Sequence, residues 1–191
     1  MSAAERAEEG LRPFALLTRR RLLGLGLGGA VVAVGGVGVL ASLRGSAPDV
    51  TGLRCLSPAH FRTLEHMART HIPPGGPLPP GADEAELARR FDAYLADEPP
   101  AHQTEIRRAL DLVEFGPVLF DHRAITFSHL NADEQLRHWN SWGESDLQLR
   151  RQVWWGFARF FGLVYYDTPA LWPLMGHPGP SLARLQAGAW P

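Results

Sequence analysis

Asp146-Leu147-Gln148-Leu149-Arg150-Arg151-Gln152-Val153-Trp154-Trp155-Gly156-Phe157-Ala158-Arg159-Phe160-Phe161-Gly162-Leu163-Val164-Tyr165-Tyr166 is the stretch that decides the fold. At about 100° per residue, Val153, Trp154, Phe157, Phe160, Phe161 and Val164 fall within roughly one third of the helical circle. The spacing predicts the main core helix, capped by Ser145 and running from Asp146 to about Tyr166. Trp155 falls on the opposite side, near Arg151, Arg159 and Gly162. That side reads in two ways: a second packed face, covered by neighbouring helices or by the C-terminal tail, or a binding face. Trp and Arg are the residues most enriched at interface hot spots, which makes Trp155, Arg151, Arg159 and Trp172 candidate partner-binding residues. The same ambiguity covers Trp139, Trp142 and Trp190.

Moving back from this helix, Asn131-x-x-Glu134 has the spacing of a capping box and starts a helix carrying Leu136 and Trp139. Phe127 to Leu130 reads as a short extended connection. A helix from about His102 turns Ile106, Leu110 and Val113 inward, and Gly116-Pro117 kinks or ends it. Another begins near Asp83, carries Leu87, Phe91, Tyr94 and Leu95, and closes at Pro99-Pro100. Ser57-Pro58 starts the first helix, with Phe61, Leu64 and Ala68 at helical spacing. Pro73 to Gly81 forbids regular structure after it. No alternating strand pattern appears. The expectation is an all-α class: a single small domain of about five helices over 57–191. Its Pro- and Gly-rich end, from Asp167 to Pro191, reads as an irregular tail, and residues 44–56 read as a linker.

The N-terminus reads as an address. From Leu22 to Leu43 there are 22 residues without a charge, seven of them Gly, directly after Arg19, Arg20 and Arg21. At ~1.5 Å per helical residue such a run reaches across the ~30 Å hydrocarbon core. Thr18-Arg19-Arg20-Arg21-Leu22-Leu23 resembles the twin-arginine export signal, with Thr18, Arg19, Arg20, Leu22 and Leu23 at its defining positions. The glycines lower the helix propensity and apolar weight of the run, as is usual for such signals. A permanent anchor, with the arginines held inside, is the alternative. Cleavage is the other, and Val39-Leu40-Ala41 and Gly45-Ser46-Ala47 both offer small residues. Either way the domain is placed on the periplasmic side of the inner membrane.

Composition excludes several classes. The net charge is −1, so nucleic-acid binding is not suggested. All 19 basic residues are Arg, and Cys55 is the single cysteine, which rules out an intrachain disulfide, a thiolate zinc cluster and a CxxCH haem site. Eight histidines invite a metal hypothesis. Glu134 and His138 lie at i, i+4, and His122 and His129 could join His138 in space, yet a solvated helix face is the simpler reading. Ser57, Ser128 and Ser141 lack a nucleophile-elbow setting. Gly24-x-Gly26-x-Gly28-Gly29 has no preceding strand and lies in the export signal. The expectation is a chain with no catalytic, cofactor or metal site of its own.

The order of blocks resembles the gluconate 2-dehydrogenase subunit 3 family. Leu56-Ser57-Pro58, Leu64 and Ile72-Pro73-Pro74 resemble its opening, and Phe127-Ser128-x-Leu130 with Glu134 and Trp139 its second block. Tyr166-Asp167-x-Pro169-x-x-Trp172-Pro173-x-x-Gly176-His177-Pro178-Gly179-Pro180 resembles its ending, with His177 where Tyr is more usual. The resemblance implies a non-catalytic small subunit of a membrane-associated flavin dehydrogenase of the glucose–methanol–choline type. In such complexes FAD sits in the large subunit, which travels through the twin-arginine translocase with its small partner, and a haem c subunit commonly accepts the electrons.

Overall fold

The computed structural model describes residues 43–177. Among them are six α-helices and two short 3-10 turns, with no strand. We number the helices α1 (Pro58–His71), α2 (Leu87–Ala96), α3 (Pro100–Glu114), α4 (Gly116–Phe120), α5 (Ala132–Gly143) and α6 (Gln148–Tyr166). The export motif, the apolar run up to residue 42 and the tail beyond 177 lie outside the described residues. Within them, no helix is long and apolar enough to cross a membrane.

Helix α1 is the hub. It packs against α2, α3 and α5, while α6 closes the other side against α5 and α2. Phe157, Phe160 and Phe161 of α6 are each no more than 1% exposed and meet Phe91 of α2, Trp139 of α5 and His71 of α1. Burial of such side chains contributes about 1.5–3 kcal/mol apiece, so this aromatic layer is a substantial part of what holds α6 to the rest of the fold.

The local signals explain most boundaries. Ser57 Oγ accepts from the His60 amide at 3.2 Å, which caps α1. Asn131 and Glu134 complete a reciprocal capping box at the start of α5, at 3.0 and 3.2 Å. The chain breaks at Gly116-Pro117, and α4 leaves α3 there.

Five expectations need correction. Helix α2 starts at Leu87, not near Asp83, because the chain first makes a turn over 82–86. Arg69 holds Asp83 at 2.7 Å, Glu84 accepts from the Gly81 amide at 2.9 Å, and Glu86 sits at φ +48. That left-handed residue interrupts the helix. Helix α3 starts at Pro100, two residues early, with Pro at its first turn.

Phe127–His129 is a 3-10 turn rather than extended. The cause is Glu114, which is fully buried and accepts from Ser128 N at 3.2 Å, Ser128 Oγ at 2.7 Å and Thr63 Oγ1 at 3.0 Å. Ser145 does not cap α6 directly. Its hydroxyl accepts from the Leu147 amide at 3.2 Å in a preceding turn, and the helix begins at Gln148.

The last correction concerns residues 44–56, which are not a loose linker. Asp92 is 2% exposed, and its carboxylate accepts three successive backbone amides: Arg54 at 2.6 Å, Cys55 at 3.0 Å and Leu56 at 2.7 Å. Val50, Leu53 and Cys55 pack against the core. The segment is a strap on the domain.

Candidate docking surface

Among the described residues, Tyr94, Leu119, Leu136, Leu147 and Leu174 each expose apolar surface, but three of the exposed large side chains share the outer side of α6. Trp155 is 54% exposed, Leu163 51% and Tyr166 55%. Trp155, Arg159, Gly162, Leu163 and Tyr166 recur at helical spacing on one face, and all but the half-buried Gly162 are exposed. Arg151 borders the face from the N-terminal side, its Nη1 donating to the Ser145 carbonyl. Trp155 stands edge-on to Trp154 at 5.0 Å between ring centroids, so its indole is braced from below while its outer surface is bare.

At its C-terminal end this face runs into a groove of ≈ 400 Å³ between α6 and the Pro-rich segment after α1. Ile72, Leu78, Ala158, Gly162, Tyr165 and Tyr166 contribute to its lining. A Cβ on Gly162 would meet only the Tyr166 ring, at 4.0 Å. The Tyr165 hydroxyl donates to the Pro80 carbonyl, tying the two walls together. Trp172 is half-buried beside this end, its Nε1 donating to the Tyr166 carbonyl at 3.0 Å. The structure therefore brings Trp155, Arg151 and Arg159 onto one helical face, and places Trp172 at the end of that helix. Leu163, Tyr166 and the groove were not singled out in the sequence. The i, i+8 and i, i+11 spacing from Trp155 was the available signal.

The other tryptophans divide differently. Trp139 and Trp142 are 0% exposed and belong to the core. Leu136, the other apolar residue read on this helix, is 45% exposed, because α5 turns Gln135, His138, Trp139 and Trp142 toward the interior. Two of these side chains reach histidines on α1. Gln135 Nε2 lies 2.9 Å from His66 Nδ1, and Trp139 Nε1 donates to His71 Nδ1 at 3.3 Å. Trp142 Nε1 donates to His138 Nε2 at 3.0 Å. An indole N–H can only donate, so His138 Nε2 accepts, and Nδ1 carries the proton that goes to Asp121 Oδ2 at 2.7 Å. Burial lowers the pKa of His66, His71 and His138 below the ordinary histidine value, with Asp121 partly opposing it at His138.

His122, His129 and His138 do not converge. His122 is exposed at φ +54, His129 Nδ1 sits 2.8 Å from Thr126 Oγ1, and His138 is buried with both ring nitrogens occupied. Glu134 is taken by Arg123 at 2.7 Å and by its capping box. Among the described residues no group of three or more His, Cys, Asp or Glu is arranged to hold a metal ion.

One array that sequence reasoning missed is Ser57, His60 and Asp111. Ser57 Oγ is 2.9 Å from His60 Nδ1, and His60 Nε2 is 3.1 Å from Asp111 Oδ1. The residue types are those of a serine hydrolase, but the bonding differs. Ser57 Oγ is also the α1 cap, and Arg44 holds the same Asp111 oxygen at 2.6 Å. Arg44 and His60 together keep the Asp111 carboxyl below its ordinary pKa against the opposing effect of burial. A carboxylate already neutralised by a guanidinium has little left with which to stabilise an imidazolium. The array serves to join α1, α3 and the strap. Its Asp and Arg lie far apart in sequence, so no local motif announced it.

Compared with protein-family models, with curated proteins and with solved structures, the chain finds no match.

Proposed function

We propose that this chain is an exported accessory subunit that binds, stabilises and co-exports an FAD-dependent alcohol or sugar dehydrogenase of the glucose–methanol–choline type. The observation that carries the reading is the bare Trp155–Tyr166 face of α6, on a helix whose opposite side is the core. Aromatic residues flanked by arginine are the usual anchors of a protein interface, and an apolar patch continuous with a groove is a common mark of a partner site. The class of partner comes from the three-block resemblance, and the route comes from the Thr18–Leu23 motif. In this reading the large flavoprotein holds FAD, this chain holds no cofactor, and a haem c subunit receives the electrons on the periplasmic side of the inner membrane.

The test is co-expression with a flavoprotein encoded beside it, followed by affinity purification through this chain. Flavin absorbance should co-purify with the parent chain and fall at least about tenfold for a Trp155→Ala, Tyr166→Ala double variant of unchanged helicity. Equal flavin recovery from the two would place the interface elsewhere. The metal-binding alternative has no comparable support, since His122, His129 and His138 are held apart.

A further inference from the structure

Of the two candidate processing sites, Gly45-Ser46-Ala47 lies inside the strap. Arg62 of α1 donates through Nη1 to the Ser46 carbonyl at 2.8 Å and through Nη2 to the Arg44 carbonyl. Arg44 donates to Asp111 Oδ1 at 2.6 Å, and its guanidinium lies 5.3 Å from the centroid of the Phe115 ring. Gly45 takes φ +67, and a Cβ there would meet His129 Nε2 at 3.3 Å. Further along, the Val50 amide closes a tight turn on the Pro48 carbonyl at 3.0 Å. Gly45, Ser46 and Ala47 are exposed, but the backbone on either side of them is held by hydrogen bonds.

A processing protease takes its substrate extended and adds water across one peptide bond, leaving a carboxylate on one side and an amine on the other. Residues 44–48 present the opposite: a left-handed kink at Gly45, and carbonyls already engaged on both sides of it. Susceptibility to nicking follows the hydrogen bonding of the affected backbone rather than side-chain exposure alone. Drawing this segment into an extended strand breaks both Arg62 bonds and the Arg44–Asp111 pair.

We propose that the folded strap withholds the Gly45-Ser46-Ala47 site, so that the exported chain keeps Arg44 and everything after it. Any hydrolysis of the signal then falls N-terminal to Arg44, for which Val39-Leu40-Ala41 supplies the small residues. The inference rests on the export reading, because only a chain folded before translocation meets the protease with its strap in place. Arg44 thereby belongs to the domain, as the residue that joins the membrane-directed segment to Asp111 and Phe115.

Two measurements separate this from the export reading. The first is the intact mass of the chain recovered from the periplasmic and membrane fractions. An N-terminus at Ser42, or an uncut chain, agrees with the strap, whereas an N-terminus at Pro48 overturns it. Full-length chain confined to the cytoplasm sinks the export reading instead, and the second measurement then decides the strap. Purified full-length chain is treated with a protease specific for small residues, and cleavage between Arg44 and Pro48 is followed by mass spectrometry. Arg62→Ala should raise the rate there at least about tenfold, as expected for losing two bonds from a charged donor. Asp111→Asn, which weakens the hold on Arg44 and on His60 but leaves both Arg62 bonds in place, should give a smaller rise and covers the case in which Arg62→Ala fails to fold. A parent chain cut as fast as both variants refutes the proposal.

Discussion

Replacing Asp92 by Asn removes one charge and one acceptor from a buried site and leaves its shape almost unchanged. Asp92 Oδ1 accepts from Cys55 and Leu56, and Oδ2 accepts from Arg54. An amide offers one acceptor oxygen, so in either flip an NH₂ group confronts at least one backbone N–H. Hydrogen bonds to a charged group contribute about 1.5–3 kcal/mol each, and a buried donor left unpaired costs about 1–3 kcal/mol. Two of the three amides belong to residues that water reaches, the exposed Arg54 and the half-buried Cys55, and they regain water, which limits the total. We expect a loss of about 3 kcal/mol, or about 10 °C in Tm for a domain of this size. Asp97→Asn is the matched control. Asp97 also meets Arg54, at 2.9 Å, but its side chain is 72% exposed, and its loss should stay within about 0.5 kcal/mol. Thermal and urea unfolding followed by circular dichroism compares the two. Equal Tm values for Asp92→Asn and Asp97→Asn would refute the view that the strap is part of the fold.

Other outcomes follow from the same contacts. His66, His71 and His138 have folded pKa values lowered chiefly by burial. The unfolded chain therefore takes up protons first, so stability is full above about pH 6.5 and falls as the pH drops through that value toward the lowered ones. A urea midpoint that is unchanged or higher at about pH 5 than at about pH 8 would contradict this. Gly116→Ala should cost about 1–3 kcal/mol, because its Cβ would sit 2.7 Å from His138 Nε2 and 2.8 Å from Trp142 Cζ2; an unchanged melting curve would show that α4 can shift freely. Trp142→Ala should cost about 3–5 kcal/mol, whereas Trp155→Ala should change stability by no more than about 0.5 kcal/mol while weakening partner association. The reverse order would make Trp155 a core residue.

What the sequence reveals depends on how local the cause is. Helix α6 is legible because its apolar residues repeat at the helical period over five turns, which no other structure accommodates. Ser57 and Asn131 are legible as caps because their partners lie three residues away. The strap is not legible, since Gly45, Ser46, Pro48 and Gly52 have the composition of a linker. What holds the segment down is Asp92, more than thirty residues further along, and Arg62 on a different helix.

The histidines mislead for a related reason. The i, i+4 spacing of Glu134 and His138 suggests a ligand pair or a solvated face, but His138 is buried and accepts from Trp142. His66 and His71, five apart and so on different helical faces, accept from α5 across a helix interface that only the tertiary fold creates. The docking face was half legible. Trp155 stands out as a large apolar residue on the wrong side of an amphipathic helix, whereas the groove needs the Pro73–Gly81 segment to fold back beside Gly162 and Tyr166. No pattern within α6 encodes that approach.

The central claim is that one export signal serves two proteins. Its most direct test is to co-express the flavoprotein with an Arg19→Lys, Arg20→Lys variant of this chain and to measure the distribution of both between cytoplasm and periplasm. The account predicts that both proteins are stranded in the cytoplasm, and that the parent signal returns both to the periplasmic side. Normal export of the flavoprotein beside a stranded variant chain would contradict it.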